Sequence, residues 1–241
     1  TFIGRSHGLV YAVNLCCKYA AVNRVPTPLP RTLTKTEVED FRDRLCDAAA
    51  GLFARRGREG FTMRDLAAKL GVSPMTPYRY FADKEAILAA VRARAFNRHA
   101  DALEAAYEAT ADDLERASEA VGRAYVEFAF SHPEAYKLIF DVTQTNERDY
   151  PDLVAAGERS RRTMTRHLEA LAAAGKFDGD AEFVGHMLWA ALHGPIMLAF
   201  SGKLSQRYSA QRIIDGLMEV LGRGFESARR SASPRRMPTD P

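Results

Sequence analysis

Apolar residues recur at intervals of three and four along most of this chain, and that spacing predicts α-helices. A first helix is predicted at about 37–56, with Thr36 as its cap, and a fourth, long and rich in alanine, at about 84–110. Two shorter helices are predicted between them, at about 63–70 and 74–81. The N-terminal part of the chain therefore reads as a compact unit of short helices that leads into a long one.

The same spacing continues beyond residue 110. It predicts further helices at about 112–131, 133–142, 150–174, 180–202 and 209–225. No alternation of the length of a strand competes with it, so the fold is predicted to be all-α. The predicted organisation is a basic, disordered N-terminal extension (1–35), a unit of short helices (36–83), a larger helical body (84–226) and a basic disordered tail (227–241).

The stretch from Thr62 to Lys84 has the turn chemistry of two short helices joined tightly. Thr62 is a suitable N-cap, with Asp65 in the reciprocal position of a capping box. Gly71 suits a left-handed turn, and Ser73 can cap the following helix. This arrangement is typical of a helix-turn-helix, in which the second helix lies in the major groove of DNA.

Residues 67–88, AAKLGVSPMTPYRYFADKEAIL, together with the helix before them, resemble the DNA-binding domain of TetR-type transcriptional repressors. The resemblance implies that Thr76, Tyr78 and Tyr80 contact bases or phosphates and that Lys84 meets the DNA backbone. Thr62 and Arg64 lie at the start of the second helix, where free N–H groups and the helix dipole favour a phosphate. Arg79 suits either a guanine or a phosphate. The complete set of predicted DNA contacts is Thr62, Arg64, Ser73, Met75, Thr76, Tyr78, Arg79, Tyr80 and Lys84.

Pro77 departs from the family pattern, which most often has leucine at this place. Proline lacks a backbone N–H, and near the start of a helix this removes only one intrahelical bond. We therefore expect a tightened first turn and an intact recognition helix.

The distribution of charge adds to this picture. Residues 1–35 contain five basic residues and no acidic residue, whereas residues 99–221 contain 12 basic and 20 acidic residues. A basic N-terminal part on an acidic body fits a protein that meets phosphate at one end. The three cysteines, two of them adjacent, predict neither a disulfide framework nor a metal site and favour a reducing cytoplasm. No uninterrupted apolar run reaches the ~18–20 residues of a membrane span.

Residues 131–141 and 188–200, SHPEAYKLIFD and LWAALHGPIMLAF, resemble the C-terminal regulatory domain of a TetR subgroup with a Trp and a His-Gly in its penultimate long helix. Aromatic and methionine side chains on several helices are candidates for an effector cavity. They are Phe96, Tyr125, Phe128, Tyr136, Phe140, Met187, Trp189 and His193. The last two helices are predicted to form a homodimer interface.

These features predict a homodimeric TetR-like regulator, most simply a repressor that a small apolar ligand releases from a palindromic double-stranded DNA operator. No cofactor, metal or enzymatic activity is predicted, because phosphate-cradling loops and nucleophile motifs are missing from the sequence. One alternative is an all-helical metal-dependent hydrolase that uses Glu182, His186 and His193. Another is a binding module whose helix-turn-helix has lost its contact with DNA.

Overall fold

The computed structural model describes residues 34–140, 147–176 and 179–232, with side chains as far as residue 224. The predictions for residues 1–33 and 233–241 lie outside the described residues. Within the described ranges the chain forms nine α-helices and no β-strand, which confirms the all-α prediction. The helices are α1 (Lys35–Arg56), α2 (Met63–Leu70), α3 (Lys84–Glu108), α4 (Leu114–Ser131), α5 (Pro133–Ile139), α6 (Pro151–Thr163), α7 (Arg166–Ala173), α8 (Ala181–Phe200) and α9 (Ala210–Ala232).

Local capping begins the first two helices. Helix α1 starts two residues before the predicted position, and its cap is Thr34 where Thr36 was expected. The Thr34 hydroxyl accepts from the Glu37 amide, and the Glu37 carboxylate accepts from the Thr34 amide. This reciprocal pair is a capping box. Thr36 has the same spacing to Glu39, so the spacing by itself does not decide between the two threonines.

The predicted capping of α2 is confirmed. The Thr62 hydroxyl accepts from the Asp65 amide, and the Asp65 carboxylate accepts from the Thr62 amide. Gly71 ends the helix in the left-handed region at φ 66°, where a side chain would be strained. Phe61 is buried between α1 and α2 with Leu45 and Leu66 in the same core.

The predicted recognition helix at 74–81 does not form as a regular α-helix. Turns at 74–76 lead into a short 3-10 helix, Pro77–Arg79, and then to Asp83, the N-cap of α3. Most backbone hydrogen bonds of this segment join residues three apart, as in a 3-10 helix. Thr76 N–H, for example, donates to the Ser73 carbonyl. Pro77 supplies no N–H, and its ring is fully buried in the core. The expectation of an intact helix was therefore wrong, and the tighter bonding is centred on Pro77.

Helix α3 is the central element of the body. It packs against α6, α4 and α5, and its buried positions follow one another along nearly its whole length. Asp113 begins α4, and His132 with Pro133 separates α4 from α5 as predicted. The core helix α3 thus continues directly from the helix-turn-helix unit into the body.

One predicted helix at 150–174 is divided into α6 and α7. The break falls at Met164 and Thr165, both buried. Gly185 of α8 lies against this point, so close that a Cβ there would be 2.9 Å from the Thr165 methyl group and 3.2 Å from the Met164 carbonyl. The break therefore lies at a tertiary contact with α8, which periodicity along one segment does not reveal.

Helices α8 and α9 pack against each other and leave an apolar stripe uncovered. Phe183 and Val220 are 63% and 67% exposed, and Leu198 and Leu217 are also exposed. Helix α9 continues to Ala232, beyond the predicted end near Phe225 and into the predicted tail. Among the described residues, α8 is the one helix whose length and apolar composition fit a membrane span, a property it shares with core helices in general.

Candidate nucleic-acid interface and effector cavity

The helix-turn-helix unit presents most of the predicted DNA contacts to solvent. Six of the nine residues are exposed, namely Thr62, Arg64, Ser73, Met75, Tyr78 and Arg79. Ser73 also accepts a long hydrogen bond from the Met75 amide at 3.4 Å, so it caps the turn that begins the recognition segment. Thr76 is half-buried and directly precedes the 3-10 helix. The exposed set combines two arginines with hydroxyl, aromatic and apolar groups, which suits contacts to phosphates and base edges.

Tyr80 and Lys84 are held by the protein itself. The Tyr80 ring lies 4.7 Å from the Phe41 ring, and its carbonyl accepts a hydrogen bond from Arg42. The Lys84 ammonium donates to the Arg58 carbonyl at 2.9 Å and lies 3.4 Å from the Glu59 carboxylate. Both residues therefore fasten the recognition segment and the start of α3 to the rest of the unit.

Arg42 is a structural residue that the sequence did not single out. Its guanidinium lies 4.2 Å from the centre of the Phe81 ring while it bonds the Tyr80 carbonyl. Cation–π contact and a charged hydrogen bond together fix the end of a segment that has few regular helical bonds.

A cavity of about 720 Å³ lies in the body, within the usual range of small-molecule sites. Five of the eight predicted effector residues line it: Phe96, Tyr125, Phe140, Trp189 and His193. Its other lining residues include Arg92, His99, Glu147, Ser160, Arg161, Met164 and His186, which the sequence did not indicate as effector residues. Because they come from α3, α6, α8, the turn before α6 and the break after it, no local pattern joins them.

Phe128, Tyr136 and Met187 do not line this cavity. Phe128 and Tyr136 are buried behind its wall, where the Phe128 ring meets His99 edge to face. Met187 lies four residues from Phe183 on α8, on the side that carries the uncovered apolar stripe.

A directed chain of hydrogen bonds forms the inner wall. The Trp189 indole can only donate, and it donates to the Tyr125 hydroxyl at 2.9 Å. Tyr125 contacts the Tyr136 hydroxyl at 2.7 Å, and Tyr136 contacts His193 Nδ1 at 2.7 Å. If each hydroxyl donates a hydrogen bond to the next member, every polar group in the chain has a partner. His193 then accepts at Nδ1 and carries its proton on Nε2. Burial lowers the pKa of His193, which agrees with a neutral imidazole as the final acceptor.

This chain of hydrogen bonds gives a physical role to Trp189 and His193, the Trp and the His of the α8 motif. Trp189 and His193 are four residues apart and so lie on one face of the helix. Both ends of the hydrogen-bond chain are therefore on α8, while its middle members belong to α4 and α5. The motif fastens three helices around the cavity.

His99 is a second polar group in the wall. Its Nδ1 lies 2.8 Å from the Ser160 hydroxyl, whereas its buried Nε2 has no hydrogen-bond partner among the described residues. Burial lowers the pKa of His99 to about 4, so the ring is neutral near pH 7. The cavity therefore contains a neutral imidazole between the Tyr125 and Phe128 rings.

The residues of the hydrolase alternative are engaged elsewhere. His186 donates Nδ1–H to the Glu182 carbonyl at 2.8 Å, and the Glu182 carboxylate pairs with Arg161 at 3.0 Å. His193 ends the chain described above. Among the described residues, no group of three or more His, Cys, Asp or Glu side chains is arranged to hold a metal. The alternative of a metal-dependent enzyme is not supported.

Comparison with protein families matches both parts of the chain. Residues 45–91 match the family described as bacterial regulatory proteins, tetR family. Residues 118–221 match a family described as tetracyclin repressor-like, C-terminal domain. No curated protein matches the chain.

Solved structures share the fold. A protein of unknown function from Rhodococcus sp. RHA1 is 27% identical with a TM-score of 0.68, covering 83% of this chain and 98% of its own. The TetR family transcriptional regulator PfmR from Thermus thermophilus is 21% identical with a TM-score of 0.58, covering 75% and 98%. The fatty acid degradation regulator FadR from Bacillus halodurans is 15% identical with a TM-score of 0.61, covering 79% and 96%.

The fold and these matches define a helix-turn-helix DNA-binding protein with a helical C-terminal domain. The two matched segments together make up more than half of the chain. The chain belongs to the TetR family of transcriptional regulators. Members of this family bind DNA operators and in general have no enzymatic activity.

Proposed function

We propose that this protein is a homodimeric repressor and that a small molecule in the cavity releases it from a palindromic operator. One observation carries the proposal. Helix α3 begins at the helix-turn-helix unit with Asp83 and Lys84, and two to four turns later it supplies Arg92, Phe96 and His99 to the cavity wall. A ligand that favours one position of α3 therefore also favours one position of the recognition segment.

The salt bridges of α3 support this coupling. Arg94, two residues after Arg92, pairs with Asp47 of α1 at 3.0 Å and donates to the Asp43 carbonyl at 2.9 Å. Because α1 belongs to the DNA-binding unit, a displacement of α3 is transmitted to it through these bonds. A rigid link of this kind is what a two-state regulator needs.

The uncovered stripe on α8 and α9 supports a dimer. Phe183, Leu198, Leu217 and Val220 expose apolar area that a four-helix bundle with a second copy would bury. A dimer would also place two recognition segments on successive major grooves, ~34–36 Å apart. We expect light scattering to give a dimer mass and Leu217→Lys with Val220→Lys to give a monomer. The matched control is Asp215→Lys, since Asp215 lies on the other side of α9 and contacts Gln211.

DNA binding is tested with selection of bound sites from random DNA, followed by gel retardation on the selected operator. We expect a palindromic site, and we expect Tyr78→Ala to weaken binding about tenfold or more because it removes an exposed recognition side chain. A DNA phosphate can take the place of the exposed Glu59 carboxylate beside Lys84, so Lys84→Ala should weaken binding similarly on all sequences and flatten its salt dependence. If no DNA is retarded at low salt, or if Tyr78→Ala binds like the parent protein, the repressor proposal fails.

A further inference from the structure

A buried arginine faces the cavity. The Arg92 side chain is 5% exposed and donates from Nε to the Leu138 carbonyl at 3.1 Å and from Nη2 to the Ile139 carbonyl at 3.2 Å. Its Nη1 lies 2.6 Å from the Glu147 carboxylate. Arginine stays charged at all accessible pH values, and a buried charge needs an anion nearby. Whatever occupies the cavity must therefore leave this cation with an anionic neighbour.

Glu147 is an anion that can be exchanged. Its side chain is 46% exposed, whereas the Leu138 and Ile139 carbonyls are fixed at the end of α5. A carboxylate that moves into solvent regains its hydration, so the loss of this contact costs little on the Glu147 side. The Arg92 guanidinium regains no such hydration, because it stays buried. A second carboxylate at Nη1 would replace this contact.

The remainder of the cavity suits an apolar body. Phe96, Phe140 and Trp189 line it together with Ile139 and Met164. The second cation in the wall, Arg161, is 39% exposed and already pairs with Glu158 and Glu182. The cavity therefore offers one deeply buried cation beside a largely aromatic volume.

We propose that the effector is an amphipathic carboxylate whose apolar body lies among the aromatic rings and whose carboxylate replaces that of Glu147 on Arg92. The inference rests on the proposed function of the cavity as the effector site, and it assigns Arg92 as the residue that selects the ligand. Because Arg92 also bonds both carbonyls at the end of α5, the new ion pair acts on α3 and α5 together. Arg92 lies eight residues after Lys84, ~12 Å along the same helix.

The chain contains a single tryptophan, Trp189, and it lines this cavity, so its fluorescence reports occupancy. The probes are decanoate and 4-phenylbutyrate, each compared with its own primary amide. We expect at least one acid to bind the unmodified protein about tenfold or more tightly than its amide, since a hydrogen bond between charged partners replaces a neutral one. The aliphatic and aromatic probes distinguish the two kinds of apolar body.

Two substitutions test the exchange. Arg92→Gln should reduce the preference for acid over amide to about twofold or less. Glu147→Gln should strengthen acid binding about threefold or more and leave amide binding unchanged, because it removes the competing carboxylate. Arg166→Gln, an exposed arginine outside the cavity, serves as the matched control and should keep the preference. Circular dichroism melts establish that each variant is folded, and the comparison of acid with amide on the unmodified protein needs no variant.

Several outcomes would overturn the inference. They are equal binding of acid and amide, no binding of any of the four probes, or acid binding that Glu147→Gln leaves unchanged, in which case Arg92 only caps α5. Loss of the preference in Arg161→Gln with retention in Arg92→Gln would also overturn it. Operator release is measured separately by gel retardation. Selective acid binding without release contradicts the proposed effector role of the cavity, whereas release by neutral molecules alone contradicts the assignment of a carboxylate.

Discussion

The DNA-binding unit and the cavity differ in how far apart their essential residues lie in the sequence. In the unit, Thr62 with Asp65, Gly71 and Asp83 each act within a few residues of their own position. In the cavity, Arg92, Tyr125, Glu147 and Trp189 come from separate helices and one turn. Local chemistry therefore specifies where the unit turns, while only packing brings the cavity wall together. Substitutions should accordingly disturb the two regions in different ways.

The largest expected effect is on the core of the DNA-binding unit. Phe61 is 1% exposed, and Phe61→Ala removes a buried ring between α1 and α2. We expect a loss of about 3–5 kcal/mol in the free energy of unfolding, from lost burial and the resulting cavity. Urea unfolding followed by circular dichroism measures it. Met75→Ala, at an exposed position, should change stability by less than about 0.5 kcal/mol. Equal effects would mean that Phe61 does not hold the unit together.

The next effect concerns the buried histidines of the body. Burial lowers the pKa of His99 and of His167 to about 4, whereas histidine in an unfolded chain titrates near 6.5. Between these values the unfolded chain binds protons that the folded chain does not, so stability falls as the pH is lowered from about 6.5 to about 4. Above pH 6.5 both states are neutral and the effect is absent.

At about 1.4 kcal/mol for each pH unit, each histidine contributes roughly 3 kcal/mol over that range. Urea unfolding at a series of pH values measures the slope. His99→Gln and His167→Gln should each remove the share of one histidine, and the double variant should remove both shares. A smaller slope should remain, because burial also lowers the pKa of His193. A flat profile between pH 4 and 6.5 would contradict the burial of these rings.

A smaller effect is expected when the hydrogen-bond chain of the cavity wall is cut. Tyr136→Phe removes the hydroxyl between Tyr125 and His193 without removing the ring. Tyr125 then keeps the bond from Trp189 and a long contact with His193 Nδ1 at 3.5 Å, and the loss of both short bonds to Tyr136 should cost about 1–3 kcal/mol. It should also alter the fluorescence of Trp189, which bonds Tyr125. Tyr208→Phe, at an exposed position, provides the control, and an unchanged melting temperature in both variants would show that the chain contributes no stability.

The smallest effect is on a local cap of the DNA-binding unit. Thr62→Ala removes the hydroxyl that accepts from the Asp65 amide, and we expect a loss of about 1 kcal/mol. Thr62→Ser keeps the hydroxyl and should remain close to the parent protein. Thermal unfolding compares the three proteins. If serine proves as destabilising as alanine, the methyl group matters more than the cap.

The sequence alone predicted the features that depend on short spacings. Helical periodicity, the capping pair at Thr62 and Asp65 and the left-handed turn at Gly71 all act over a few residues and can be read in order. The all-α class follows from the periodicity, and the family was expected from the resemblance of residues 67–88 to TetR-type DNA-binding domains. One local expectation was wrong, since the segment around Pro77 forms turns and a short 3-10 helix where an intact helix with a tightened first turn was expected.

Tertiary structure decided everything that depends on an approach between distant segments. The break between α6 and α7 lies where Gly185 of α8 comes close to Thr165. The placement of five predicted residues in the cavity, and of Met187 outside it, depends on how α8 is rotated against α4 and α5. The exchangeable pair of Arg92 and Glu147 joins a long helix to a turn more than fifty residues away. Composition shows that such charged residues are present, but only the packing of the helices determines which of them become buried neighbours.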